Sequence, residues 1–358
     1  MKKPDKVSQF REILALTVLV NAVLLLIGCS CAQEGPPPIP PPEMIAAATF
    51  SICSEPSQHY DPRISKNIVV WHDNRNGNYD IYGFDLSAKS DFPVCTDGEE
   101  QEDAAISGNI IIWVDHRKGI YAYDIYGYDL STETEFLITN IRQPTGPWRG
   151  PNIDGNVIVW EDDPKGYWEK YGYDIRGYNL ATKTQFPICI NPSHQACPKV
   201  SGDTVVWTDD RNGNDDIYGY DLSTQTEFAI CTNEAYQGWA DICGNIVVWQ
   251  DERNGNSDIY GYDLSTGIEF PICTGLHEQV GPLVSGNIVV WEDERHSWWE
   301  EELDYWFYGY DLSTQTEFPI ARHNAIFGMG LQDFDGDTIV CYDMEGEGSW
   351  KIMGVRLP

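Results

Sequence analysis

Short apolar runs alternate with polar turn clusters along most of this chain, and the alternation repeats. The unit is clearest between Asn245 and Cys273, which reads NIVVWQDERNGNSDIYGYDLSTGIEFPIC. A run such as NIVVW is apolar on both faces, which predicts a strand buried between two layers. DIYGYDL alternates with period two, placing its aromatics on one face and a glycine on the other. FPIC carries proline inside a strand pattern at Pro93, Pro187, Pro271 and Pro319. Proline cannot donate to a ladder, so this run must be an edge strand. A short run before a Ser-Gly-Asn turn, such as PRIS, PKVS or PLVS, completes four strands per unit.

The units are counted by a tryptophan at the end of the second run. It falls at Trp71, Trp113, Trp160, Trp207, Trp249 and Trp291, with Cys341 in the seventh place. A period of 40 to 50 residues built from short strands predicts the blades of a β-propeller. The last unit, near Lys351 to Leu357, stops at its third strand. The stretch Thr49 to Ser54 upstream of the first unit reads as the missing fourth. The expected fold is therefore all-β: a seven-bladed β-propeller of four-stranded antiparallel blades over residues 49–358, its ring closed by an N-terminal outer strand.

The repeat resembles the TolB-like β-propeller repeats of bacterial and archaeal envelope proteins, above all in RNGNSDIYGYDLSTG. That resemblance implies the fold. It departs from the family in having Ser-Gly-Asn where Ser-Pro-Asp-Gly is usual, and in having seven units where TolB has six. TolB's own partners do not carry over.

The residues before the repeat read as an address. Lys2, Lys3, Lys6 and Arg11 precede an apolar run from Ile13 to Ile27, the pattern of a secretory signal. It ends Leu-Ile-Gly-Cys29, which resembles a bacterial lipobox and implies cleavage after residue 28 and lipidation of Cys29. Residues 1–28 are thus expected to be a lipoprotein signal peptide and residues 29–48 a lipidated tether. Six prolines lie between Gly35 and Glu43; as polyproline II they make a spacer of roughly 25 Å. The expected location is the cell envelope, extracytoplasmic and lipid-anchored at the outer membrane or cell surface.

Charge narrows the partners. The net charge is −33, which repels phosphate backbones and argues against nucleic acid. It suits cations, basic proteins or neutral polar ligands. With 13 Trp and 20 Tyr, exposed aromatics can stack on sugars or anchor a protein. The candidate ligand-binding residues are Trp148, Trp168, Trp239, Trp298 and Trp299 in the variable loops, and a recurring glutamine (Gln58, Gln101, Gln143, Gln195, Gln237, Gln279) expected around the channel mouth. The glutamines also read as braces to neighbouring backbone. The Asp-rich turns Asp73–Asp80, Asp209–Asp216 and Asp251–Asp258 read as Asn-Gly hairpins, with calcium as the competing use of their oxygens. The cysteines Cys53, Cys95, Cys189, Cys231 and Cys273 share one strand position and read as small buried residues. No spaced catalytic motif accompanies His59, His194, His277 or His323. The expectation is a monomeric, non-catalytic module without cofactor that binds an envelope protein or glycan. The alternative is a polysaccharide-active hydrolase or lyase, which a cluster of histidine and carboxylates at the channel mouth would favour.

Overall fold

A computed structural model of the chain describes residues 47–53, 57–119, 123–139, 150–163, 172–296, 305–323, 330–345 and 349–357. All lie in one compact unit, Pro41–Pro358. Among them every regular element is a β-strand. Seven four-stranded sheets follow one another, six made of consecutive strands. The first is β2(His59–Ser65), β3(Ile68–Asp73), β4(Asp80–Asp85) and β5(Ser90–Cys95). The seventh is β26(Leu331–Asp335), β27(Thr338–Glu345) and β28(Ser349–Arg356), completed by β1(Ala48–Cys53). β1 pairs antiparallel with β28, Ala48 opposite Arg356 and Ser51 opposite Met353. The chain is a seven-bladed β-propeller closed by its N-terminal strand.

The apolar second strand of each unit occupies the middle of the sandwich between blades. Val69, Val70 and Trp71 are fully buried, as are Val247, Val248 and Trp249. The strand-c glycine has a steric duty. Gly83, Gly127, Gly177, Gly219, Gly261, Gly309 and Gly354 each lie beneath a phenylalanine of the outer strand; a Cβ on Gly219 would sit 2.6 Å from Phe228. That clash sets a prediction: Gly219→Ala loses about 1–3 kcal/mol in chemical denaturation through overpacking. A neutral result would mean that the phenylalanine shifts freely.

The strand a–b turns hold the ring together. The Gly108 N–H donates to Ser65 Oγ of the preceding blade, and Gly155 does so to Ser107. Gly202 bonds Asp154, Gly244 bonds Ser201, Gly286 bonds Cys243 Sγ, Gly336 bonds Ser285 and the Lys66 N–H bonds Asp335. Each of the seven seams thus has one such bond. The Ser-Gly-Asn motif is therefore both a turn and a latch.

A second junction explains the cysteines and the Arg of RNGN. In the fifth blade, buried Asp251 accepts from Trp249 Nε1 at 2.9 Å and from Arg253 through both Nε and NH2. The guanidinium lies over the Tyr260 ring at 4.2 Å, pairs with Glu269, and donates to Cys231 Sγ of the preceding blade at 3.1 Å. Arg75, Arg117, Arg211 and Arg295 repeat this with Cys53, Cys95, Cys189 and Cys273. The cysteines are indeed buried, but each is also a sulfur acceptor joining two blades. Burial pushes the thiols of Cys95, Cys189, Cys231 and Cys273 up to about 12, so they stay protonated and unreactive at neutral pH.

Candidate functional site at the channel mouth

The innermost strand of each blade begins at the d–a loops, and in five blades it carries an irregularity two residues in. Register shifts fall between Tyr60 and Arg63, Glu102 and Ala105, Ala196 and Lys199, Gly238 and Asp241, and Val280 and Leu283. The residue at each bulge has a left-handed backbone: Asp61 (φ 49°), Asp103 (54°), Cys197 (55°), Trp239 (57°) and Gly281 (60°). This conformation turns that side chain out of the sheet alternation. These five residues, with Gly150 and Leu331 of the other two blades, line a central cavity of about 540 Å³.

A polar residue directly after the core tryptophan, or after Cys341 in its place, holds several of these bulges. His72 Nδ1 accepts the Asp103 N–H at 3.2 Å, Glu161 the Cys197 N–H at 2.7 Å, Glu292 the Leu331 N–H at 2.7 Å, and the Tyr342 hydroxyl the Asp61 N–H. Each acceptor belongs to the blade before the residue it holds. The bulges are thereby fixed, and with them the side chains facing the cavity.

Asp61 and Asp103 come from neighbouring blades and face one another across the cavity lining. With His72 they bring one donor atom each within 4.8 Å of the others. Burial and the facing Asp61 raise the Asp103 carboxyl well above the usual carboxylate range. Gly150 makes room for it, since a Cβ there would lie 2.3 Å from Asp103 Cβ. Trp239 belongs to the fifth blade, which a seven-fold ring places opposite the boundary between blades one and two. Its indole hydrogen-bonds to Tyr236, and the Tyr236 ring is seated over Gly238. Trp239 is 36% exposed, an aromatic wall facing a carboxyl pair.

A metal fits this trio poorly. His72 Nδ1 is an acceptor for backbone, which puts the ring proton on Nε2. To ligate through Nδ1 the imidazole would have to give up its hold on the Asp103 N–H, and to ligate through Nε2 it would have to change tautomer and lose the same bond. The Asp-rich hairpins are likewise supplied with protein donors: Asp80 takes the amides of Asn76 and Asn78, and Asp258 those of Asn254 and Asn256. The turn reading accounts for those oxygens.

Glu292 is the other unusual carboxyl. It is 3% exposed, and among the described residues its Oε2 has no partner. Burial raises it to about 7. An acid raised in the fold contributes stability that is fully present below its unfolded value and is lost as pH rises through about 7. Between pH 5 and 8 the chain is expected to lose about 3 kcal/mol from this group. Glu292→Gln should remove that part of the pH dependence; parallel urea curves at the two pH values test it, and identical pH profiles for both proteins refute it.

Of the residues expected from sequence, Trp239 lies in the cavity wall. The glutamines do not line it. Gln101, Gln195, Gln237 and Gln279 are fully buried, and each donates its amide to a carbonyl two residues back, at Glu99, Ser193, Ala235 and His277. They brace the loops. Gln58 is one position early: His59 occupies the glutamine place, buried against Cys53 and Ser57, while Gln58 is exposed and bonded to Asn74. Cys29, Gln143, Trp148, Trp168, Trp298 and Trp299 lie outside the described residues. Asp61, His72, Asp103 and Glu292 were not singled out from sequence. Their signal was available, because Asp61 and Asp103 stand in a column that holds Cys197 and Gly281 in other blades.

No protein-family model and no curated protein matches the chain. Solved structures do. An oligogalacturonate lyase from Vibrio parahaemolyticus superposes with TM-score 0.64 at 13% identity, over 87% of this chain and 93% of that one. An oligogalacturonate lyase in complex with manganese gives 0.62 at 14% identity, again over 87% and 93%. TolB from Acinetobacter baumannii reaches 0.47 at 16% identity, over 84% of this chain and 78% of its own. At such identities the likeness to the lyases establishes the propeller fold alone, and the TolB superposition carries no argument.

Proposed function

We propose that this propeller is a saccharide-binding module whose site is the mouth of the central channel. The observation that carries the reading is Trp239 standing across a cavity of about 540 Å³ from the Asp61–Asp103 pair. An aromatic face stacks on the apolar face of a sugar ring, and carboxyls on the far side take its hydroxyls. The cavity is concave and of small-ligand size, which favours a glycan over the flat surface of a protein partner. Lipidation of Cys29 would hold the module at the envelope, a reading that rests on the lipobox-like Leu26–Cys29. A glycan array followed by calorimetry on the full chain tests the site. Trp239→Ala is expected to weaken any glycan bound by roughly tenfold or more. Unchanged affinity sinks the reading.

A second reading is favoured by the Asp61–His72–Asp103 cluster: a carbohydrate-active enzyme. A carboxyl that burial and a facing carboxylate keep protonated has the equipment of an acid beside a base. The oligogalacturonate lyases share the fold and act on a saccharide. Mass spectrometry of array hits after prolonged incubation separates the two readings. Shortened or unsaturated products, absent with Asp103→Asn, would make the protein an enzyme.

A further inference from the structure

The cavity contains two cationic side chains, and both are engaged. Lys199 Nζ lies 3.8 Å from Asp241 Oδ1. Arg63 NH1 donates to the carbonyl of Gln332 at 2.9 Å and, more weakly, to that of Pro62. Asp241 also accepts the Val284 N–H of the next blade, so this carboxyl has its own partners.

The remaining carboxyls are in the opposite condition. Asp61 and Asp103 bring their carboxyl oxygens within 4.8 Å of one another. Like charges that close disfavour ionising both, so the pair gains from a cation placed between them. Glu292 has one oxygen on the Leu331 N–H and the other, buried, with no partner among the described residues. Among the described residues no ion pair meets the acceptor capacity of these three carboxyls; Arg63, whose charge acts on Asp103, bonds to backbone carbonyls instead. An ammonium group offers three N–H donors and a positive charge, and an indole face attracts it as well.

We infer that the cavity selects a saccharide bearing a free amine, an amino-sugar unit whose ammonium is received by Asp61 and Asp103 while Trp239 stacks on its ring. The inference rests on the saccharide reading above and narrows it. N-acetylation removes the charge and two of the donors, so the acetylated sugar is disfavoured. A uronate meets four carboxyls there, Asp61, Asp103, Asp241 and Glu292, against two cations, Arg63 and Lys199, of which Lys199 already faces Asp241. The strongly acidic surface, −33 overall, draws a polyamine chain toward the mouth.

The test is calorimetric titration of the full chain with three trisaccharides: glucosamine, N-acetylglucosamine and galacturonate. The glucosamine oligomer is expected to bind at least about tenfold tighter than the acetylated one, the difference made by one well-placed charge-assisted contact. The Asp61→Asn/Asp103→Asn double variant should erase that preference, and Trp239→Ala should weaken both ligands alike. Glu292→Gln serves as a second variant should the double one misfold, and is expected to reduce the preference in part. Equal or tighter binding of the acetylated or galacturonate oligomer overturns the amine inference and leaves the saccharide reading standing. Binding of none of the three also overturns it, and the glycan array then decides the saccharide reading separately.

Discussion

Asp251→Ala is expected to destabilise the chain by about 3–5 kcal/mol, close to what a small domain has in total. The carboxylate has no solvent exposure and accepts five bonds, from Trp249 Nε1, from Arg253 Nε and NH2, from the Arg253 N–H and, at 3.9 Å, from the Cys231 thiol. Its removal strands a buried indole N–H and a guanidinium that also contacts Tyr260 and the sulfur of the previous blade. The Arg253 side chain is 19% exposed, so water recovers part of its charge and the lower half of the range is expected. Urea denaturation with an unchanged slope measures it. Asp251→Asn, which keeps an acceptor at the same place, should cost less. A loss under about 1 kcal/mol for the alanine variant would mean that the Trp–Asp–Arg–Cys junction contributes little.

Deleting β1 is expected to cost more, because it removes the outer strand of the seventh blade. Phe50 covers Gly354, and Ile52 and Cys53 are buried against Val69, Trp71 and Val340. Without them β28 becomes an open edge and the seam between the last and first blades loses its apolar filling. The variant should unfold without a single cooperative transition and self-associate, as read by calorimetry and light scattering. Appending residues 47–53 after Pro358 through a short glycine linker should restore the melt, since the strand needs only to reach the same edge. A truncated chain that melts like the intact one would show that the ring does not depend on this closure.

The blades were legible in the sequence because each is written seven times. Trp71 and its counterparts set the period, the strand-internal prolines set the edge, and Thr49 to Ser54 supplied the missing strand. The cavity was less legible, for a physical reason. Its wall is built on bulges with left-handed backbone, at Asp61, Asp103 and Trp239, and a bulge breaks the alternation from which inward and outward faces are read. The glutamine column was visible, but a repeated residue is more readily a brace than a ligand contact, and the buried amides of Gln101 and Gln195 are braces. The cysteines read as filler because the Arg253–Cys231 type of contact crosses between blades, 22 positions apart. The departures between aligned blades held more of the site than the repeats did.

The seven turn latches are not equal. Gly286 is held by the sulfur of Cys243, a weaker acceptor than the serine hydroxyls and aspartates at the other seams. At the same seam Gln250 donates within its own blade, to Ser257, and Gly281 offers no side chain to the next. Stronger ties remain toward the loop end: Asp241 to the Val284 N–H, Arg295 to Cys273, the Gln279 N–H to the Ser257 carbonyl and the Ser257 N–H to Glu278. The junction of the fifth and sixth blades thus has the weakest turn latch of the seven, while its loop end stays tied. Amide exchange at Gly286 should be faster than at Gly244 or Gly336. Opening there is confined to the turn end, so the mouth that carries Trp239 keeps its width while the far rim frays.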